Sequence, residues 1–458
     1  MPEPVVAPVP SAAVVAEPAH PAASAGDKRA AAALARVPAI AEAVATIRGL
    51  PLKHQVPAEV QSQDAFRTYL DTEVKKEMPV EKTVQSVRAL VRLGFLKEAI
   101  DLGKTIEDAM ITQAGAYYDP DTKKFYLVLI PDDADMLDVM SAHELTHALD
   151  DQYYDLGAYT DDPKHELTND VQQARRIVAE GEATLVMVAY QAKVAAHQDI
   201  FDPKNLLMER AMVAAFSSLD SEQLAKAAAD NPALVSQMGP GMKASIDAMS
   251  SIPPFILDPL FGAYTKGASA IAAVHEAGGW DAVGELYTDP PESSEQLLHP
   301  REKLIGHRDH PVVLTFALPP KMFAGQTPID TDVIGELTMA TYFKTWGSKA
   351  PSAAVLGWGG DRYVAYVAGD RVVGMWLTTW DTPKDAERFQ SAYVATLPAR
   401  FPTHAVALRG PTLGVTYDGL VTATKRSGKD VAIVDGAPRA NVDELFLWLT
   451  KTTRTQAK

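Results

Sequence analysis

Three residues with metal-site spacing stand close together in the run His143-Glu-Leu-Thr-His147. Two imidazoles four residues apart lie on the same face of an α-helix, so they can hold one Zn²⁺ with little rearrangement. Glu144 points to the edge of that face, where its carboxylate can take a proton from a water without binding the metal. Because zinc lowers the pKa of such a water to about 7, the spacing predicts metal-assisted hydrolysis. The competing interpretation is a solvated helix that carries two histidines.

The surrounding sequence favours a half-buried helix. Between Met136 and Leu149 the apolar residues recur close to the helical period, and neither Gly nor Pro interrupts them. A catalytic zinc usually has three protein ligands and an open position, so a third ligand must come from another segment. We expect the next helix, from about 168 to 196, to supply it.

That second helix contains two candidate acids, Glu180 and Glu182. They are separated by about 200° around a helix, so only one of them can face the metal. Gly181 lies between them and costs about 1 kcal/mol relative to Ala within a helix. This cost indicates close approach of another backbone, for which the His-bearing helix is the first candidate.

The His-Glu-x-x-His run, followed by a second helix with Glu-Gly-x-Ala, resembles the zincin metallopeptidases. The closest branch is the gluzincins, which include thermolysin-like enzymes and neutral zinc aminopeptidases. The resemblance implies a mainly helical zincin-like domain with a small sheet, one Zn²⁺ per chain, a peptide or protein substrate, and Glu180 as third ligand. A bacterial family with a Tyr-Asp-Pro run, His-Glu-Leu-Thr-His-Ala-Leu and Glu-Gly-x-Ala matches the same order, from about Gly115 to Thr184.

The chain departs from the gluzincin pattern in two ways. Ala179 stands where the aminopeptidases have Asn, and Glu180 follows His147 by 33 residues, which is further than in the best-known members. Glu166, 19 residues after His147, fits the usual distance better. However, Glu166 lies near Pro163 in a charged stretch that reads as a loop, so we favour Glu180 and keep Glu166 and Glu182 as alternatives.

Other residues near the motif have candidate supporting roles. Asp151 follows His147 by one helical turn and can accept the distal imidazole N–H; a solvated acidic helix end is the competing interpretation. A hairpin is predicted around residues 119–124. By analogy with zincins, its second strand, Phe125–Ile130, can pair with an extended peptide substrate, although an ordinary sheet strand fits equally well.

His299 belongs to a Ser-Glu-Gln-x-x-His-Pro run that follows Pro290 and Pro291. Thermolysin-like enzymes use a histidine away from the metal to hydrogen-bond the oxyanion, and the resemblance makes His299 the candidate for that catalytic role. Packing beside Pro300 is the alternative. We therefore treat Glu144 and His299 as candidate catalytic residues, and His143, His147 and Glu180 as candidate metal ligands.

Composition limits the class of protein. The chain has 458 residues, 47 % of them hydrophobic, a net charge of −16 and no cysteine. The acidic balance argues against nucleic-acid binding, and the absence of cysteine excludes disulfides and thiol chemistry. We see no apolar stretch long enough for a transmembrane segment. The first 26 residues are rich in Ala, Pro and Val, which predicts a disordered linker and favours an exported protein that has lost its leader.

We predict an α+β chain with three parts: a linker over 1–29, a catalytic domain over 30–334 and a C-terminal α+β domain over 335–458. The C-terminal part alternates strand-like runs with helices at about 383–397 and 441–450. Its Gly-rich run at 357–363 predicts a structural turn with Trp358 packed on the sheet. The predicted function is a zinc metallopeptidase. The alternatives are an inactive zincin-like binding or scaffold protein and a regulatory or self-processing factor.

Overall fold

A computed structural model describes residues 25–113, 115–128, 134–162, 165–218, 252–409 and 412–457. The chain is α+β, as predicted, with helices dominant in the first two thirds and a large sheet in the last third. Most of the predicted linker (residues 1–24) and parts of two predicted helices (219–229 and 242–251) lie outside the described residues. Residues 25–29, assigned to the linker, begin the first helix instead.

The α-helices, numbered in chain order over the described residues, are α1 Ala25–Arg48, α2 Gln63–Glu77, α3 Val80–Leu93, α4 Leu102–Gln113, α5 Ala134–Tyr154, α6 Leu156–Asp161, α7 Asn169–Ala196, α8 Leu206–Ser217, α9 Pro254–Thr288, α10 Ser294–Leu298, α11 Pro300–Lys303, α12 Gly335–Thr345, α13 Pro351–Val355, α14 Pro383–Arg400 and α15 Val442–Leu449. Short 3-10 turns occupy Pro203–Asn205, Lys321–Phe323 and Arg439–Asn441.

The β-strands are β1 Ala58–Val60, β2 Ala116–Asp119, β3 Lys124–Leu127, β4 Val312–Thr315, β5 Asp330–Asp332, β6 Trp358–Ala368, β7 Arg371–Trp380, β8 Val406–Arg409, β9 Thr412–Tyr417, β10 Leu420–Ser427, β11 Asp430–Pro438 and β12 Thr453–Gln456. They form a three-stranded sheet in the order β1-β3-β2, an antiparallel seven-stranded sheet in the order β5-β6-β7-β11-β10-β9-β8, and the two-stranded pair β12-β4.

Four long helices, α1, α5, α7 and α9, pack together and contain the predicted metal ligands. One apolar core joins α1, α5, α7 and the small sheet, and a second joins α7 to α9. The start of α7 is fixed by Thr168, whose side chain accepts a hydrogen bond from the amide of Val171, which satisfies one of the free amides of the first turn.

Helix α1 bears on the predicted absence of a transmembrane segment. Within the described residues, Lys28–Arg48 is long and apolar enough to cross a membrane by length and composition alone, a test that the core helix of a globular protein also passes. In the structure one face of this helix, including Val37, Ile40 and Val44, is buried in the same core as α5.

The small sheet also corrects the expectation for β3. Strand β3 lies in the middle, paired with β1 in parallel on one side and with β2 antiparallel on the other. Both hydrogen-bonding edges of β3 are therefore occupied, so it cannot add an extended peptide substrate. The free edge beside α5 belongs to β2 instead.

The C-terminal sheet begins earlier than the predicted boundary at residue 335. Its first strand, β5, covers Asp330–Asp332 and pairs with β6. One face of the sheet forms a core with α3, α4, α12 and α14, in which Leu93 of α3 and Trp376 of β7 are both buried. The two predicted domains therefore share a hydrophobic core. Trp358 is buried, as predicted, but starts β6 rather than lying in a turn.

Candidate metal centre

Helix α5 brings both histidines to one face. Leu145 and Leu149 of this helix are fully buried in the core with α1, so the helix is anchored on that side and cannot rotate freely. The rings of His143 and His147 lie one turn apart with centroids separated by 4.9 Å, and their planes are almost perpendicular. Both Nε2 atoms are directed to the neighbouring helix α7.

Glu180 of α7 completes the group. Its Oε2 atom lies 3.1 Å from Nε2 of His143 and 3.4 Å from Nε2 of His147. The three ligand atoms all lie within 4.8 Å of one another. Of the three acids considered from the sequence, Glu180 is thus the one that meets the histidines.

These separations fit a zinc ion. With metal–ligand bonds of about 2.0–2.1 Å and tetrahedral angles, two donor atoms should be roughly 3.3 Å apart. The two measured separations that involve Glu180 lie on either side of this value. Two imidazole nitrogens and one carboxylate oxygen also form a ligand set that zinc uses in catalytic sites, where a fourth position stays open.

The ligands stabilise one another electrostatically. Burial alone would raise the pKa of Glu180. However, His147 and His143 act on Glu180 through their charges and their hydrogen bonds, and this larger effect holds that pKa well below its usual range. In return, although burial acts in the opposite direction, Glu180 raises the pKa of His147 to about 9. Because a metal binds the neutral imidazole, a cation must displace a proton on binding.

Glu182 and Glu166 have different surroundings. Glu182 is fully buried on the other side of α7 and pairs with the buried guanidinium of Arg48 from α1, in agreement with the 200° separation expected on a helix. Asp150 of α5 is also buried there. Burial raises the pKa of Asp150, and the negative charge of Glu182 raises it further. Glu166 is exposed in the loop before α7.

Gly181 does meet another backbone, but that backbone is α9. A Cβ atom built on Gly181 would lie 2.4 Å from the carbonyl carbon of Gly267. The expectation of close approach is confirmed, whereas the suggestion that the partner is the His-bearing helix is wrong. The glycine pair lets α9 pack directly against α7 beside Glu180.

Glu144 is adjacent to the ligands but is not one of them. Its Oε2 atom accepts a hydrogen bond of 3.0 Å from the backbone amide of Tyr118 in β2. Burial raises the pKa of Glu144, while the neighbouring His143 and His147 lower it. The amide fixes one carboxylate oxygen, and the same carboxylate can accept a proton at the other.

Asp151 does not orient His147, contrary to the expectation. Its carboxylate accepts hydrogen bonds from the hydroxyl of Tyr118 at 2.6 Å, from Nζ of Lys123 at 2.9 Å and from the amide of Leu156 at 3.0 Å. Asp151 therefore ties the β2–β3 hairpin to the end of α5. It acts on the centre indirectly, by holding β2 beside Glu144.

His299 also departs from its predicted role. It lies between α10 and α11, where its Nε2 is 3.0 Å from both carboxylate oxygens of Glu336. At the start of α10, Ser294 hydrogen-bonds to Asp170, which is ten residues, or about 15 Å, along α7 from Glu180. The structure thus brings His299 to Glu336 of α12 rather than to the metal ligands.

Tyr264 of α9 lies at the centre and was not found from the sequence. Its ring stacks on that of His143, with centroids 5.5 Å apart and an angle of 24°. Burial, and then the negative charges of Glu180 and Glu144, raise the pKa of its hydroxyl well above the usual range. No local pattern marks Tyr264, because it belongs to a long helix rich in Ala and Gly.

Comparison with known proteins covers only the C-terminal part. A family described as "Domain of unknown function (DUF8575)" matches residues 322–445, which include all seven strands of the large sheet but none of the residues of the metal centre. No curated protein and no solved structure matches the chain.

Proposed function

We propose that this protein is a zinc-dependent metallopeptidase with a zincin-like catalytic region. The observation that carries the proposal is the convergence of His143, His147 and Glu180, whose ligand atoms lie within 4.8 Å of one another. The donor set and its spacing fit zinc, and the two histidines flank a carboxylate, that of Glu144, which does not belong to the ligand group. We infer one zinc ion per chain, held by these three residues.

Glu144 is the proposed general base. Zinc bound at this position would polarise a water molecule and lower its pKa to about 7. The carboxylate of Glu144 takes the proton and later donates it to the leaving amine. The hydrogen bond from the amide of Tyr118 keeps the carboxylate in one orientation, and burial brings its pKa closer to the operating pH.

Strand β2 supports a peptide as the substrate. The amide of Tyr118 points away from β3 and towards Glu144, so the free edge of β2 runs beside the proposed catalytic base. Because the amide of Tyr118 is bonded to Glu144, an extended peptide would pair with the other backbone groups of this edge and so present its backbone to the centre. We therefore assign to β2 the substrate-pairing role that the sequence had suggested for β3.

Tyr264 is the proposed oxyanion donor in place of His299. Its hydroxyl is protonated at neutral pH, as that of a tyrosine normally is, and it hydrogen-bonds to Glu180, which holds it at the centre. Its ring lies against the His143 ligand, which brings the hydroxyl close to where negative charge develops on the substrate carbonyl. A donor of this kind contributes about 3–4 kcal/mol to transition-state stabilisation.

Metal analysis followed by one substitution tests the proposal. Purified protein should contain about one zinc per chain, and His143→Ala should lose it, while the matched control His165→Ala, in an exposed loop, should keep it. Glu144→Gln should retain zinc and cleave a broad peptide library at a rate at least 100-fold lower. Zinc binding without cleavage by the wild type would favour the binding or scaffold alternative, and absence of zinc would refute both.

We also infer that the protein is exported. The inference rests on the apolar helix near the N-terminus, Lys28–Arg48, whose length and composition are compatible with a signal sequence, and on the Ala-, Pro- and Val-rich composition of residues 1–26. Fractionation of the source cells with an antibody to the chain would test it, because recovery from the cytosol alone would contradict export.

A further inference from the structure

Arg176 lies on α7 one helical turn before the ligand Glu180. Residues four apart on a helix share a face, with Cβ atoms about 6 Å apart, so Arg176 is on the side of α7 that faces the metal centre. Its side chain is exposed. Within the described residues, no hydrogen bond or ion pair engages its guanidinium, although acidic groups surround the centre.

The neighbouring residue, Arg175, differs from Arg176 because its guanidinium is already paired. Arg175 donates to the carbonyl of Tyr159 at 2.6 Å and forms an ion pair with Asp162, so its charge is already used to tie α7 to α6. Arg175 points about 100° away around the helix. The two arginines therefore have different environments, one structural and one open to solvent beside the centre.

The charge of Arg176 acts on ionisable groups of two other helices, α9 and α2. It lowers the pKa of Tyr264, against the larger effect of burial, and it likewise opposes the rise in the pKa of Glu77 that burial causes at the end of α2. Arg176 is thus near both Tyr264 of α9 and the last turn of α2. This position is close to the metal centre, because the ring of Tyr264 stacks on that of His143.

We propose that Arg176 determines substrate specificity by binding a carboxylate of the peptide, which is either its C-terminal carboxylate or an Asp or Glu side chain. The inference rests on the proposed function and adds the substrate class. A guanidinium presents a planar fork that pairs with both oxygens of a carboxylate. At about 3.3 Å per extended residue, the bound carboxylate lies roughly two or three residues from the scissile bond.

Binding to an inactive but zinc-loaded protein tests this inference directly. We would measure the Kd of Glu144→Gln by calorimetry for three versions of one peptide: a free C-terminus, a C-terminal amide, and the amide with one internal Asp. The free acid or the Asp peptide should bind about 10- to 100-fold more tightly than the plain amide. The version that binds tightly identifies the source of the carboxylate.

A second substitution assigns the preference to Arg176. Arg176→Met in the same background should remove the preference while leaving zinc content and the Kd of the plain amide unchanged. Arg176→Lys should recover part of it, because the charge returns without the bidentate fork. The matched control is Lys193→Gln, an exposed base on the same helix that lies about 20 Å beyond Glu180, and it should keep the full preference.

The inference and the proposed function can fail separately. An equal preference in Arg176→Met and its parent would overturn the role of Arg176 even if the wild type cleaves peptides. Absence of binding by every peptide would overturn it as well. Conversely, a preference that Arg176→Met abolishes, in a protein whose wild type cleaves nothing, would support carboxylate recognition and refute the peptidase.

Discussion

Gly181 and Gly267 pack backbone against backbone where α7 crosses α9. A Cβ on Gly181 would lie 2.4 Å from the carbonyl carbon of Gly267, and a Cβ on Gly267 would lie 2.7 Å from the Cα of Gly181. The crossing therefore needs glycine on both helices. It also sets the distance between Glu180, next to Gly181, and Tyr264, one turn before Gly267.

Gly181→Ala should destabilise the protein in spite of its better helix propensity. The propensity gain is about 1 kcal/mol, but the added carbon meets backbone, which cannot move aside as a side chain can. We expect a net loss of roughly 3 kcal/mol in the free energy of unfolding, together with weaker zinc binding because Glu180 shifts. Urea denaturation and zinc titration measure the two effects.

Gly262→Ala is the matched control on α9. There the added Cβ would lie 3.5 Å from Cδ1 of Leu337, which is ordinary van der Waals contact. This variant should be as stable as the wild type or slightly more stable. Equal stability of Gly181→Ala and Gly262→Ala would contradict the close crossing.

Substitutions of Glu180 and Glu182 should have different effects on zinc binding, although the two residues are only two positions apart. Glu180→Gln should abolish zinc binding and, with it, the gain of about 2.7 kcal/mol in the free energy of unfolding that zinc gives at 100 times its Kd. Treatment of the wild type with a chelator should remove the same gain. Glu182→Gln should keep zinc but lose about 3 kcal/mol in the free energy of unfolding, because it removes the carboxylate that forms the ion pair with buried Arg48.

A double substitution separates the charge of the buried pair from its packing. Arg48→Met with Glu182→Leu should recover most of the stability lost in Glu182→Gln, since apolar groups can replace a buried ion pair at little cost. Thermal or urea unfolding of the single and double variants provides the comparison. Loss of zinc in Glu182→Gln while the fold persists would mean that the wrong acid has been assigned to the metal.

Tyr264→Phe should retain zinc and lower kcat by about 100-fold, with little change in KM, because the hydroxyl acts mainly on the transition state. The ring still stacks on His143, so the ligand should keep its position. Steady-state kinetics on any cleaved peptide measures the effect. Tyr366→Phe in β6, outside the centre, should leave kcat unchanged, and an equal effect of both substitutions would count against Tyr264.

Asp170 should make stability depend on pH. Burial and the charge of Asp361 raise its pKa to about 7, although hydrogen bonds from Ser294 oppose the rise. A carboxyl group whose pKa is raised in the folded state stabilises the protein below its unfolded pKa, near 4, and loses this contribution as the pH rises to 7. Relative to that of Asp170→Asn, the free energy of unfolding of the wild type should thus fall by on the order of 2 kcal/mol between pH 5 and pH 8.

Urea denaturation at pH 5, 6, 7 and 8 checks this difference. Asp370→Asn, at a side chain that is 91 % exposed, is the control for general pH effects and should parallel the wild type. A constant difference between wild type and Asp170→Asn over the whole range would show that Asp170 ionises in the folded protein as it does in the unfolded chain.

Much of the C-terminal sheet could be anticipated from the sequence, because alternation of apolar residues is a local signal. Runs at 362–367, 372–378 and 413–417 all lie within observed strands. Strand β10, Leu420–Ser427, was missed because its second half holds Lys425 and Arg426 and no large apolar residue, so the apolar alternation is lost. Its strand character depends on pairing with β9 and β11 on both sides, which the sequence of β10 does not encode.

For the metal ligands, too, part of the arrangement follows from the sequence and part depends on the tertiary structure. The sequence alone determined that His143 and His147 share a face, since four residues make about one helical turn, and that Glu180 and Glu182 cannot face the same side. Only the tertiary structure decided which acid meets the histidines, that Tyr264 rather than His299 lies beside them, and that β2 rather than β3 offers its edge. Periodicity fixes the orientation of side chains within one helix, whereas the pairing of segments that are distant in the chain depends on how whole faces pack against one another.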